Sequence, residues 1–332
     1  MQQTKLCLIG CGAHAQSVYA PTLKRIAAEN DLIVLAACCD VDESRAAQMA
    51  NAAGFVRTYE SYKVMLEAER PDAVIAVLPH YLSEGIAVSI LELGYPLLLE
   101  KPPGDSLAAC RNIVAAAEKN GIINQIAYNR HFIPLIRSLY NELHSRTENR
   151  PIQNIDYCMY RVHRPEPFFY VTAIHGVDMV GFLANSRYKD VYFRYQMLPQ
   201  LGDNHYNIFM DCTFESGATA QLRFFVMSGM INERLVITRD DESYCCNIPI
   251  WHGCDTPGFL SLYREDKQVM YLSGNDVSDG DNLFESNGFY AEVCTFINAV
   301  RTKTQPREAI SSSLQCMEIA EHIKKRLPEY HL

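Results

Sequence analysis

The stretch GCGAHA, residues 10 to 15, has the spacing G-x-G-x-x-A, directly after an apolar run and directly before a helix-like segment. Gly10 permits a tight turn, Gly12 lets the backbone approach a pyrophosphate, and Ala15 leaves room for close strand-helix packing. Ala13, His14 and Ala15 open a helix whose first N–H groups have no partner of their own and so suit an anion. Asp40 closes the second apolar run, DLIVLAACCD, where an acid meets an adenosine ribose. It either hydrogen-bonds both ribose hydroxyls and repels a 2'-phosphate, favouring NAD(H) over NADP(H), or is a simple turn residue. Asp40 stands farther from the glycines than the usual ~20 residues, and the AAENDL extension of the intervening helix accounts for the gap. Arg45 sits nearby on the next helix and softens the preference, which keeps NADP open as a cofactor.

Two further stretches carry reactive side chains. LLLEKPPGDSLAA, residues 97 to 109, runs three leucines into Glu100 and Lys101 and stops at Pro102 and Pro103. A lysine there is either an ordinary surface cation or a group aimed into the crevice outside the strand ends, where ligands bind in parallel sheets. TAIHGVDMVGFLA has helical apolar spacing and sets His175 and Asp178 three apart, on one face. Such a histidine is either a satisfied core residue beside an acid or a base that titrates near neutrality.

The surrounding elements decide between these readings. KLCLIG, DLIVLAACCD, DAVIAVLP, PLLLE and IINQIA are continuous apolar runs, and helix-like stretches such as ESRAAQMANAAG and SLAACRNIVAAAEKNG, closed by Gly54 and Gly121, alternate with them. That alternation implies right-handed crossovers and a doubly wound parallel sheet over residues 1–125. Residues 126–332 carry longer, aromatic, near-alternating runs (NIDYCMYRVHR, VYFRYQML, HYNIFMDCTFESG, ATAQLRFFVM) that imply a large, mainly antiparallel sheet with a few helices, ESG marking a hairpin. Two late helices, GFYAEVCTFINAVRTKT and SSSLQCMEIAEHIKKR, are placed to pack back on the first domain, and SGNDVSDGDN reads as an exposed loop with the wrong spacing for calcium.

Composition narrows the function. A net charge of -9 and a pI near 5.6 without a basic block argue against nucleic acid. The start lacks the features of a secretory signal, no run has the length of a membrane span, and a soluble cytoplasmic protein is expected. Twelve cysteines lie in or beside apolar runs or in vicinal pairs, which suits reduced core thiols. C-x-x-C is absent, Cys245, Cys246, His252 and Cys254 form only a loose cluster, and no metal is expected.

Taken in order, GCGAHA, DAVIAVLP, Glu100-Lys101-Pro102, AYNRHF, HGVD at 175 to 178, the FESGATAQL hairpin and GFYAEVCTFINAV resemble the Gfo/Idh/MocA family of NAD(P)-dependent oxidoreductases over nearly the whole chain. The resemblance implies a Rossmann domain followed by an α/β domain whose open sheet mediates a homodimer or homotetramer. It also implies that Lys101 reaches the substrate beside the nicotinamide, that Pro102 follows a cis bond, that Leu78, Pro79, Glu100 and Asn129 line the cofactor, and that Tyr128, Asn129 and Arg130 line the active site.

Oxidation of a secondary alcohol needs a base for the hydroxyl proton and a cation for the developing alkoxide as hydride departs. His175 and Lys101 meet those needs, and both match family positions with that role; Asp178 orients the imidazole or accepts a substrate hydroxyl. Two departures stand out: Val171 occupies a place where many members carry an acid four residues before the histidine, and Ser83 a place where histidine is common. Arg130 binds a carboxylate or phosphate or bridges the domains. Arg161, His163 and Arg164 recognise a polyhydroxylated or anionic substrate or form a solvated rim. Three functional readings follow: a dehydrogenase or reductase of a sugar, cyclitol or related compound; a dinucleotide-sensing regulator without turnover; and an enzyme that oxidises a sugar transiently so that an adjacent bond is eliminated or hydrolysed.

Overall fold

A computed structural model describes residues 3–144, 150–164, 168–202, 205–251, 253–278 and 280–332. The chain divides into two compact units, Met1–Asn129 with Gly288–Leu314, and Arg130–Asn287 with Gln315–Leu332. In the first, the continuous apolar runs become strands of one parallel sheet: β1 (Thr4–Ile9), β2 (Ile33–Cys39), β3 (Arg57–Tyr59), β4 (Ala73–Ala76), β5 (Leu97–Glu100) and β6 (Asn124–Ala127). Their order is β3-β2-β1-β4-β5-β6. Every residue of β4, β5 and β6 is buried, as strands covered on both faces require. β3 has only three residues and too little pattern to be read; it sits at the sheet edge, and Arg57 and Tyr59 reach from it to the buried Glu69.

The crossover helices are α1 (Ala20–Glu29), α2 (Glu43–Ala53), α3 (Tyr62–Glu69), α4 (His80–Glu92) and α5 (Leu107–Asn120). Asp42 caps α2 by accepting from the backbone N–H groups of Ser44 and Arg45, and Ser106 caps α5 by accepting from that of Ala109. Gly54 and Gly121 end these two helices in the left-handed conformation, at φ +96° and +58°. A π turn over Ala15–Tyr19 precedes α1. Its physical cause is Pro21, which has no N–H to return to the carbonyl of Ser17, so the turn widens and Ala20 donates to Ala15 instead.

The second unit is built on nine strands: β7 (Ile152–Tyr160), β8 (Tyr188–Met197), β9 (Tyr206–Phe214), β10 (Thr219–Phe225), β11 (Asn232–Arg239), β12 (Glu242–Ile248), β13 (Phe259–Arg264), β14 (Lys267–Ser273) and β15 (Glu329–His331). The order is β14-β13-β12-β11-β7-β10-β9-β8-β15, antiparallel throughout except for the parallel pair β7 and β10. The hairpin read at Glu215–Gly217 joins β9 to β10, with Gly217 at φ +88°. Along β9 and β10 the residues alternate between buried and partly exposed, which is why this half was legible as period two. The loop read at 273 to 282 contains a short helix, Gly274–Val277, capped by Ser273; Asp279 lies outside the described residues.

Helix α6 (Pro134–His144) lies against β12 and β13, and α7 (Tyr170–Ala184) against β7 and β10. Gly176 makes the second contact possible. A Cβ there would come within 2.4 Å of the Tyr157 ring and 2.8 Å of the Phe224 ring, so only glycine lets α7 seat on the sheet. Gly176→Ala is expected to destabilise the protein by about 1–3 kcal/mol through overpacking. The urea midpoint measures this, and an unchanged midpoint would show that α7 is free to shift outward.

Candidate active site

Gly10 crosses β4 at the end of β1. Its N–H donates to the Cys39 carbonyl at 2.8 Å, Val77 donates to Ile9 at 2.8 Å, and a Cβ on Gly10 would stand 2.0 Å from the Val77 oxygen. The φ of +90° is one that side chains disfavour, so glycine is required twice over. Gly12 is the opposite case, because an added Cβ would meet nothing within 4 Å. The loop backbone is thus tight against the sheet at Gly10 and uncovered at Gly12, while Ala15 is fully buried.

Asp40 joins this loop at the end of β2. Its Oδ2 accepts from the Cys11 N–H at 2.8 Å and its Oδ1 from the Asp42 N–H at 3.0 Å. Each oxygen retains a lone pair for a ribose hydroxyl. Arg45 pairs with Asp42 at 3.3 Å, so the nearby cation already has a carboxylate other than Asp40. An uncovered glycine backbone at a helix start beside a fixed carboxylate fits a dinucleotide, its pyrophosphate at the loop and its ribose at Asp40.

On the other side of the loop, Glu100 ends β5 with only 6% of its side chain exposed. His14 Nε2 lies 2.9 Å from its Oε1, and the Tyr19 hydroxyl donates to the same oxygen at 3.0 Å. Burial pushes the Glu100 carboxyl up. The His14 charge and hydrogen bond, the Lys101 charge and the Tyr19 hydroxyl outweigh it and hold the group below the usual carboxylate range. The Lys101–Pro102 bond is cis. Leu78 approaches Gly10, Pro79 precedes α4, and the buried Ser83 donates to the Pro79 carbonyl at 3.2 Å. Tyr128 is fully buried and Asn129 nearly so.

In the second unit, α7 carries both His175 and Asp178. The acid does not stand beside that histidine alone: His131 Nε2 lies 2.8 Å from Asp178 Oδ2, both side chains being under one-tenth exposed. His131 stacks on Phe182 with ring centroids 3.9 Å apart, and Tyr140 also stacks on Phe182, at 4.4 Å. Sequence reasoning passed over His131 although it lies within AYNRHF. Nothing local announces it, because its partner is 47 residues away by number and on another helix.

Arg130, expected at the substrate or as a bridge, is engaged inside the second unit. Its fork donates to Glu233 (Nε to Oε2 at 3.0 Å, Nη2 to Oε1 at 2.6 Å), and Arg161 and the Tyr157 hydroxyl bind the same carboxylate. Arg161 is correspondingly buried, Arg164 donates to Thr172 Oγ1 on α7 at 3.1 Å, and only His163 of that trio is an exposed rim residue, at φ +49°. Nine of the twelve cysteines are buried. Among the described residues no three of His, Cys, Asp and Glu gather as a metal site, and no helix is long and apolar enough to cross a membrane. His252, of the loose cysteine cluster, lies outside the described residues.

The sheet order and the glycine crossing are those of a dinucleotide-binding Rossmann fold. Residues 4–128 match the model of GFO_IDH_MocA, an oxidoreductase family with an NAD-binding Rossmann fold. The chain is 33% identical to the rhizopine catabolism protein MocA of Rhizobium meliloti over 43% of each chain. It is 30% identical to inositol 2-dehydrogenase 1 of Saccharopolyspora erythraea, over 45% of this chain and 46% of that one. The chain spans about half the length of the curated relatives it matches. The fold extends further: the crystal structure of a UDP-N-acetylglucosamine 3-dehydrogenase from Acidithiobacillus ferrooxidans superposes with a TM-score of 0.81, covering 97% of both chains at 17% identity.

The Glu233 cluster yields a test of its own. Burial pushes Glu233 up, and the charges of Arg130 and Arg161 with their hydrogen bonds pull it further down, to about 2. A carboxylate depressed on folding stabilises the native state above its ordinary value and loses that contribution as pH falls toward the folded value. Glu233→Gln leaves two buried guanidinium groups without a countercharge and is expected to cost about 3–5 kcal/mol at neutral pH. Urea unfolding should also show a shallower loss of stability between about pH 4.5 and about pH 2 in the variant, the window set by the depressed carboxyl. Equal stability of variant and parent would mean that the arginines relax to solvent.

Proposed function

We propose that this protein is an NAD(P)-dependent dehydrogenase or reductase that moves a hydride between the nicotinamide and a secondary alcohol or carbonyl of a sugar, cyclitol or related hydroxylated compound, with NAD preferred. The observation that carries the reading is the Asp40 carboxylate held at 2.8 Å from the Cys11 N–H inside an uncovered G-x-G-x-x-A loop. Two ring alcohols appear in the names of the relatives above, inositol and an N-acetylglucosamine nucleotide, and they support the substrate class.

Bound nicotinamide supplies the hydride acceptor. The chain's own residues do the rest. An imidazole nitrogen of His175 takes the hydroxyl proton, and the Lys101 ammonium stabilises the oxygen as negative charge develops. With valine at 171 there is no acid four residues before His175, so Asp178, three residues on and paired with His131, takes the place of orienting carboxylate or hydroxyl acceptor. Glu100 and Asn129 hold the nicotinamide end, and Leu78 and Pro79 wall the loop. Arg130 is left out of the substrate set because Glu233 occupies its fork. The nine-stranded sheet is the surface for a homodimer or homotetramer, and the cytoplasm is its place of action.

Purified protein should bind NADH, and incubation with NAD and a panel of sugars and polyols should raise absorbance at the reduced nicotinamide band with at least one of them. Lys101→Ala is expected to abolish that turnover while NADH affinity stays within about twofold, since the ammonium acts on the reacting oxygen. Turnover retained by Lys101→Ala would sink the assignment. Product without net NADH would instead mark transient oxidation, and NADH binding without product would mark a sensor.

A further inference from the structure

His14 ties the glycine-loop helix to the end of β5. His14 and Tyr19 are five residues apart, a spacing that turns about 140° around an α-helix, yet both meet Oε1 of Glu100, at 2.9 and 3.0 Å. The π turn over Ala15–Tyr19 brings them round to one side. Their ring centroids lie 5.9 Å apart, and Phe289 closes a triangle at 5.7 Å from His14 and 6.1 Å from Tyr19. The imidazole is 40% exposed while Glu100 is 6% exposed, so a group open to protons holds a buried carboxylate. The charged and titratable groups facing this pair are Lys101, next along the chain, Tyr19 on the same helix, and Glu292, whose charge acts on Tyr19 from the helix Phe289–Thr302.

Two negative charges arrive with a pyrophosphate at the loop, and Glu100 adds a third close to the same helix start. A neutral imidazole leaves the buried Glu100 charge close to that helix start without a countercharge from His14. A protonated one adds a cation two residues past Gly12. We propose that His14 is a positioning residue for the dinucleotide: protonated, it neutralises Glu100 and carries positive charge into the first turn of the loop helix, so that affinity for NADH is linked to uptake of a proton. The inference rests on the dinucleotide reading above and deepens it.

The test is a fluorescence titration of the full chain with NADH at low salt, from about pH 5 to about pH 8, the range over which an imidazole changes charge. Affinity of the parent should fall about three- to tenfold across it, the size of one partly exposed charge at short range, and the slope should shrink as salt is added. His14→Gln keeps a donor for Glu100 and cannot titrate. It should bind NADH with the parent's high-pH affinity and a flat profile, and His14→Asn serves the same purpose if the glutamine variant does not fold. A slope in either variant equal to the parent's, or a flat parent profile, overturns the role of His14 while leaving the dinucleotide site in place. A parent that binds no NADH at any pH overturns both.

Discussion

The first unit depends on a backbone crossing that admits no side chain. With the Gly10 Cα against the Val77 carbonyl, the chain leaves β1 at the point where the sheet order reverses between β2 and β4, and the loop is delivered to the strand ends where ligands bind in such sheets. Asp40 follows β2 on one side and Glu100 ends β5, one strand beyond β4, on the other; both are fastened to the loop or its helix, the first through Cys11 N–H and the second through His14 and Tyr19. One steric constraint thus sets the positions of two carboxylates, and those carboxylates set the electrostatics that a dinucleotide would meet.

The second unit solves a different problem. Its sheet buries an ion cluster, Glu233 between Arg130 and Arg161, which costs desolvation and returns it only because every oxygen of the carboxylate is engaged. Tyr157 links that cluster to the helix above it: its hydroxyl donates to Glu233 and its ring bears on Gly176. The residue beside that glycine is His175. Placement of the histidine therefore follows from a charge cluster, a tyrosine ring and the absence of one methyl group, and not from α7 alone.

A second fixed pair lies on the same helix: Asp178, on the turn after His175, faces His131, whose ring stacks on Phe182. An aromatic platform under His131 limits the imidazole's rotation, so the carboxylate facing it has a fixed partner.

Much of this was legible in the residues. The parallel sheet was, because strands buried on both faces must be continuously apolar; the glycine loop and Asp40 were, because the turn tolerates few residue types; and the stops at Gly54 and Gly121 were, because a left-handed cap favours glycine. What local sequence determines is whatever depends on neighbours a few residues away: backbone conformation, periodicity and capping. The short edge strands β3 and β15, the parallel pairing of β7 with β10, the capture of Arg130 by Glu233 and the pairing of His131 with Asp178 were decided only by tertiary structure. Charge and hydrogen-bonding capacity are properties of a residue, but the partner that satisfies them is chosen by the packing of distant segments, and no pattern along the chain records that choice.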